Sequence, residues 1–145
     1  MLEHGVKPEI EVFDLSMLYQ ALRLADEGLL RKPLHVQFVM GVKNAMPVIR
    51  QAFDFMVDEV QRLAPEATWV AAGIGRHQLE VNRWCLERGG HCRTGLEDNI
   101  RWDETRLAAS NAELVGRVAE LCGGYGRHPA SAAEARKILG LRPAV

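Results

Sequence analysis

The sequence predicts an α/β fold in one domain over residues 1–145, built from four β-α units and one additional helix. Short segments rich in branched and aromatic residues alternate with segments whose apolar residues recur at helical spacing. The helical segments begin and end at typical capping residues. Glycines and charged residues follow the strand-like segments, where parallel α/β folds bind their ligands.

Four segments are predicted strands because each is short, rich in branched residues and bounded by Pro or Gly. They are residues 10–13, 34–42, 68–75 and 91–95.

Helical periodicity follows each strand. The first helix is predicted to be capped by Ser16 and to stop near Gly28, and the longest helix to have Pro47 in its first turn. The third helix covers residues 78–87 and ends at the glycine pair that starts with Gly89.

Two capping boxes predict the last helices. Ser110 with Glu113 opens the fourth helix, and Ser131 with Glu134 opens a short final helix to about Leu139. Alternating strands and helices imply a parallel sheet with right-handed crossovers. The pattern fits both a small open sheet and half of an eight-stranded barrel.

Composition limits the classes of function. The chain is 48% hydrophobic and 26% charged, a globular balance, and its formal net charge of -1 argues against a nucleic-acid partner. Neither a membrane-spanning stretch nor a secretory signal is recognisable, so we expect a cytoplasmic protein without a membrane partner. The three cysteines lack CxxC spacing and are interpreted as buried thiols.

The segment HCRTGLEDNI, residues 91–100, is the strongest candidate for a site. In one interpretation, Glu97 and Asp98 lie in a solvated loop and pair with Arg93 or Arg101, which is worth about 0–1 kcal/mol. In the other, Arg93 points into a site at the end of its strand. There it would lower the pKa of a neighbouring carboxylate or orient it as a general base.

Two further motifs belong to the same end of the predicted sheet. Glu9 and Glu11 share one face of the first strand, which is costly unless Arg93 or a metal pairs with them. GIGR, residues 73–76, is either an anion-binding turn that uses Arg76 or a plain β-α turn, since it lacks a complete GxGxxG. With no His-x-His or HExxH motif, the chain by itself lacks a recognisable zinc site.

The order of these motifs resembles the β-keto acid cleavage enzymes, long known as a domain of unknown function. That family includes the 3-keto-5-aminohexanoate cleavage enzyme of lysine fermentation. The resemblance covers nearly the whole chain and rests on PEIEVF, LHVQFVMGV, ATWVAAGIGR, GGHCRTGLEDN, SNAELVGRV and ASAAEARKILGL.

The resemblance implies a zinc-dependent TIM (β/α)8 barrel, of which this chain is the C-terminal half. It also implies acyl transfer by a retro-Claisen route, in which a β-keto acid and acetyl-CoA give acetoacetate and a new acyl-CoA.

Residue roles follow from the resemblance by matching positions. Glu97 matches the zinc-ligand glutamate of the family, and Asp98 matches the carboxylate that deprotonates the substrate. Arg93 matches the arginine that orients this carboxylate, and Glu11 a further active-site glutamate. Arg76 is a candidate contact for CoA or for a substrate anion.

The resemblance also implies a missing half. Family chains are longer, and their first half carries the His-x-His zinc ligands and the Ser and Thr substrate contacts. We therefore expect this chain alone to bind zinc poorly and to lack normal turnover. The expected partner is the missing N-terminal half-barrel or a second copy of the chain in a homo-oligomer.

A half-barrel would also leave apolar side chains uncovered. We expect the inward-facing residues to need a facing half that buries them, so that an isolated monomer would be sticky. They are Val36, Phe38, Met40, Trp69 and Ala71.

Two other functions remain open from the sequence. One is a non-catalytic half-barrel that forms a homodimer or a binding module. The other is a different lyase or aldolase on the same barrel, because a fold does not fix its chemistry.

Overall fold

The computed structural model describes residues 1–142. Within them, strands and helices alternate along the chain. The strands are β1 (Ile10–Val12), β2 (His35–Met40), β3 (Thr68–Gly73) and β4 (His91–Cys92). The helices are α1 (Leu15–Asp26), α2 (Arg50–Leu63), α3 (Gln78–Arg88), α4 (Asn111–Cys122) and α5 (Ala132–Ile138).

The strands form one parallel sheet in the order β1-β2-β3-β4. This confirms the predicted β-α units, the parallel sheet and the additional helix. In the part of the chain that the structure describes, β1 and β4 are the edges of the sheet, and each pairs on one side only. The helices there are too short or too polar to span a bilayer.

One face of the sheet packs against the helices. The buried strand side chains that form this core are Val12, Val36, Phe38, Met40, Trp69 and Ala71. The helices contribute, among others, Leu18, Phe53, Val57, Val60, Val81 and Cys85. The prediction that Val36, Phe38, Met40, Trp69 and Ala71 need a facing half to bury them is therefore wrong. Side chains alternate between the faces of a strand, and this set is the one that meets the helices.

The opposite face carries the polar residues that alternate with this core set. Glu11 and Gln37 occupy it in β1 and β2, and Arg93 occupies it just after β4. Helix α5 lies over part of this face, where Ile138 and Val70 line a cavity of about 340 Å³ together with Arg93.

The start of α1 differs from the prediction. Asp14, not Ser16, is the capping residue, because Asp14 has the extended backbone of an N-cap. Its Oδ1 accepts hydrogen bonds from the backbone N–H of Ser16 at 2.8 Å and of Met17 at 3.4 Å. Ser16 already lies inside the helix, and its hydroxyl donates to the same Asp14 oxygen at 2.5 Å.

Helix α2 begins at Arg50, so Pro47 is not in its first turn as predicted. The preceding segment is fixed as a loop by backbone hydrogen bonds. The Met46 N–H donates to the Phe13 carbonyl, and the Met46 carbonyl accepts from the Gly41 N–H, both at 2.9 Å. These bonds hold the chain against the ends of β1 and β2, so the helix starts later.

Of the two predicted capping boxes, one is complete. Ser131 and Glu134 exchange both bonds. At α4, the Ser110 hydroxyl accepts from the Glu113 N–H at 3.2 Å, but the Glu113 carboxylate accepts from the Ala109 N–H at 2.6 Å instead of closing the box.

Candidate active site

The candidate site lies where the chain leaves β4, with Arg93 at its centre. Arg93 binds Asp98 through a fork: Nε to Oδ2 and Nη2 to Oδ1 are both 2.8 Å. The Asp98 side chain is 4% exposed, so both its oxygens are committed to this geometry. The hydrogen bonds that Arg93 donates to Asp98, opposed by partial burial, raise the pKa of Arg93 above its ordinary value. The pair is therefore a rigid, charged unit.

A second carboxylate reaches the same guanidinium from across the sheet. Glu11 Oε1 lies 3.1 Å from Arg93 Nη1, although the two residues are at opposite edges of the sheet. Gln37 is buried beside Glu11 in the sheet register, and its Nε2 donates to the same Glu11 oxygen at 2.6 Å. Glu9 is separate, since its Oε1 lies 3.6 Å from His35 Nε2.

Glu97 differs from Asp98 in exposure. Its Oε2 lies 3.2 Å from Arg93 Nη2, but the side chain is 86% exposed. Adjacent carboxylates thus sit in opposite surroundings, with Asp98 held in place and Glu97 open to a ligand.

A tight turn between β4 and Asp98 produces this arrangement. The Gly95 carbonyl accepts from the backbone N–H of Asp98 at 3.3 Å and of Asn99 at 3.1 Å. Gly95 has a φ of 154°, and a Cβ there would lie 2.9 Å from Asn111 Oδ1, which accepts from the Leu96 N–H. The turn therefore requires glycine at this position.

Comparison with known proteins identifies the family. A model of the beta-keto acid cleavage enzyme family matches residues 1–141. The chain belongs to the β-keto acid cleavage enzyme family.

Three curated relatives illustrate the range of reactions in this family. The 3-oxoadipate:acetyl-CoA acetyltransferase of Cupriavidus necator is 58% identical over 141 residues, which is 97% of this chain and 50% of the relative. The 3-keto-5-aminohexanoate cleavage enzyme of Fusobacterium nucleatum is 44% identical, over 98% of this chain and 50% of the relative. The 3-dehydrocarnitine:acetyl-CoA trimethylamine transferase of Rhizobium meliloti is 35% identical, over 94% of this chain and 44% of the relative. The chain thus spans about half the length of these relatives.

Zinc is implied by the family resemblance, and the side chains give a direct test of fit. A catalytic zinc takes about three protein ligands and keeps one open position. Among residues 1–142, no three His, Cys, Asp or Glu side chains are grouped to hold a metal ion. Glu97 is exposed and can supply one ligand. The described residues of this β-keto acid cleavage enzyme chain therefore do not fit a complete zinc site.

Arg76 lies outside the Arg93 cluster. It is exposed in the turn after β3, and its Nε is 3.4 Å from His77 Nε2. Its predicted contact with CoA or a substrate anion stays a prediction.

Gln37 is a site residue that the sequence did not reveal. Its alternation with the core residues could have placed it on the polar face. Its contact with Glu11 depends on the pairing register of β1 and β2, which no local pattern shows.

Proposed function

We propose that this chain carries half of the active site of an enzyme that cleaves a β-keto acid with acetyl-CoA. The observation that supports this best is the forked Arg93–Asp98 pair, with Glu11 on the same guanidinium and Glu97 open beside it. The acetyl-CoA in the names of two of these relatives indicates the co-substrate.

The overall reaction moves a carboxymethyl group. In R–CO–CH2–COO⁻ plus acetyl-CoA, the bond between the R–CO carbon and the CH2 carbon breaks. A bond forms between that CH2 carbon and the acetyl carbonyl, and the CoA thiolate moves to the R–CO carbon. The products are acetoacetate and R–CO–CoA, so atoms and charge balance.

In this proposal Asp98 is the general base. It takes a proton from the carbon that lies between the two carbonyl groups, whose acidity those groups increase. General acid–base catalysis needs the base held within hydrogen-bonding reach of that proton. The two 2.8 Å bonds from Arg93 fix the direction in which Asp98 presents its carboxylate.

Arg93 and Glu11 have supporting roles. Glu11 accepts from Arg93 Nη1 and is itself held by Gln37, so the guanidinium is anchored on two sides. Arg93 remains cationic throughout, and its charge stabilises negative charge that develops on the substrate next to it.

The proposed partner is the N-terminal half of a TIM barrel, supplied by a longer chain or by a second polypeptide. The open edge of β4 supports this proposal. A cleft of about 920 Å³ runs beside β4 and is lined in part by Val115 and Val118 of α4 and by Ile138 of α5. A facing half that added a strand here would cover the edge. A second copy of this chain would bring another Glu97 but no His-x-His pair.

Zinc is proposed as a cofactor of the completed enzyme only. There it would act as a Lewis acid on a carbonyl oxygen of the substrate. Glu97 would be the ligand that this chain contributes, and the remaining ligands would come from the other half. In the completed enzyme, the main effect of Glu97→Gln should be a lower affinity for zinc. Asp98→Asn should retain zinc and lose turnover.

A chimera tests the proposal. Residues 1–141 replace the matching half of the 3-oxoadipate:acetyl-CoA acetyltransferase, with which they are 58% identical. We expect the purified chimera to form acetoacetate and succinyl-CoA from 3-oxoadipate and acetyl-CoA, and the chain alone to form neither. A folded, zinc-loaded chimera without acetoacetate formation from 3-oxoadipate or 3-keto-5-aminohexanoate would contradict the proposal. An active, metal-free homodimer of the chain would contradict both the proposed zinc dependence and the proposed need for an N-terminal half-barrel.

A further inference from the structure

Gln78, the first residue of α3, is in contact with the turn that carries Glu97 and Asp98. It is 0% exposed, which is unusual for a glutamine. Its Nε2 donates to the Gly95 carbonyl at 2.9 Å, and its Oε1 accepts from the Thr94 hydroxyl at 2.9 Å. Both ends of the buried amide are therefore satisfied by the residues just before the turn.

The Gly95 carbonyl is where the turn is fixed. It already accepts from the backbone N–H groups of Asp98 and Asn99, so Gln78 adds a third donor to one oxygen. A second bond joins the same two regions, since the Gly75 N–H donates to the Asp98 carbonyl at 2.7 Å. The segment from Gly75 to Gln78 thus holds the turn at its start and at Asp98.

We propose that Gln78 is a positioning residue of the acyl-transfer site, which acts by fixing the turn that aims Asp98 at the substrate. This inference rests on the proposed role of Asp98. Gln78 does not touch Asp98 or Glu97 with its side chain. Its hydrogen bonds to Gly95 and Thr94 attach the turn to α3, and the turn positions Asp98 against Arg93.

A purely structural role would have a different signature. Buried hydrogen bonds also stabilise the fold, so their loss lowers stability wherever they are. A positioning residue additionally changes the local geometry of Arg93 and Asp98, and it lowers kcat more than it changes KM.

The first measurement uses this chain alone and needs no activity. Hydrogen exchange of the Arg93 Nε–H, followed by NMR, reports how persistently the fork to Asp98 is made. We expect Gln78→Met, which removes both bonds at similar volume, to speed this exchange about tenfold. Val81→Ala, a core change on the same helix, should lower stability and leave the Arg93 exchange relative to global unfolding unchanged.

The second measurement uses the chimera described above. Gln78→Met should lower kcat about 10- to 100-fold, because small misplacements of reacting groups have effects of this size. KM should change little, and Val81→Ala should keep kcat per folded molecule.

Thr94 provides a milder variant in case Gln78→Met does not fold. Thr94→Val removes the hydroxyl that donates to Gln78 and should show the same changes at smaller amplitude, whereas Thr94→Ser, which keeps the hydroxyl, should behave like the wild type. Unchanged Arg93 exchange in Gln78→Met and Thr94→Val would overturn the proposal. So would a loss of kcat that Val81→Ala reproduces at equal stability. An inactive chimera with faster Arg93 exchange in Gln78→Met would instead refute the proposed function, and with it the acyl-transfer role, and would retain only that Gln78 holds the Arg93–Asp98 pair in place.

Discussion

The two faces of the four-stranded sheet differ in what they carry and in what covers them. The helix-facing side is apolar, and its core residues are buried within residues 1–142. The opposite side holds Glu11, Gln37 and Arg93, which are bonded into one network. The helix-facing side therefore holds the core of this chain, and the opposite side holds the residues to which we assign the proposed chemistry.

This difference separates folding from function. Phe53 packs against Trp69 and Trp84, with ring centroids 5.8 and 5.5 Å apart, so the apolar face is complete without a second half. The polar face carries Asp98, which we propose as the general base, and the exposed carboxylate of Glu97, but no complete metal site in the described residues. We expect the chain to fold alone and to need a second half for turnover.

The largest expected effect is on the apolar face. Phe53 is fully buried on α2, and Phe53→Ala should lower the free energy of unfolding by about 3–5 kcal/mol. The matched control is Phe55→Ala on the same helix, where the side chain is 51% exposed, with an expected change within about 0.5 kcal/mol. Urea unfolding of both variants measures the difference. Equal losses would show that the helix-facing core is not the source of stability.

A smaller loss is expected when the polar network is broken on one side. Arg93→Met leaves the Asp98 carboxylate buried without its partner and should cost about 1–3 kcal/mol. The double variant with Asp98→Leu removes both charges and should recover most of that loss. If the double variant is less stable than Arg93→Met, the unpaired, buried Asp98 carboxylate is not the cause of the stability loss in Arg93→Met. Urea unfolding at one pH measures all the variants.

Much of the fold could be predicted because its signals are local. Strand and helix order followed from periodicity and capping residues, and the close spacing of the charged residues offered Arg93 and Arg101 as alternative partners of Asp98. The helix-facing side of β2 was misassigned although Gln37 alternates with Val36 and Phe38 in the sequence, because a strand with nearly all of its residues buried can be covered on either face.

The contacts of Gln37 and Gln78 were also beyond local patterns. The first depends on strand register and the second on where α3 begins relative to the end of β4. Asp14 was missed as a cap because two capping residues stand close together, and only the backbone conformation decides between them.

A pH dependence is expected from the amino end of the polar face. Partial burial lowers the pKa of His35 and of His91 below the ordinary value of about 6.5. Both histidines therefore bind protons more readily in the unfolded chain. Stability is fully present above about pH 6.5 and declines as the pH falls below that value.

Unfolding free energies at pH 7.5 and 5.5 test this. Paired substitution of His35→Gln and His91→Gln should reduce the decline. An unchanged decline in the double variant would assign the pH dependence to other groups.

The smallest effect is expected at Glu97. Its side chain is 86% exposed, so Glu97→Gln should change the unfolding free energy of the chain by less than about 0.5 kcal/mol. A larger loss, measured by urea unfolding, would mean that Glu97 supports the fold and is not reserved for a ligand.

The most direct test of the central claim is the turnover of Asp98→Asn in the zinc-loaded chimera. Loss of a general base should lower the rate of acetoacetate formation by about 10²- to 10⁴-fold, while zinc content and folding stay those of the parent chimera. Normal turnover in Asp98→Asn at equal zinc content would contradict the role of Asp98 and, with it, the assignment of the chemistry to the polar face.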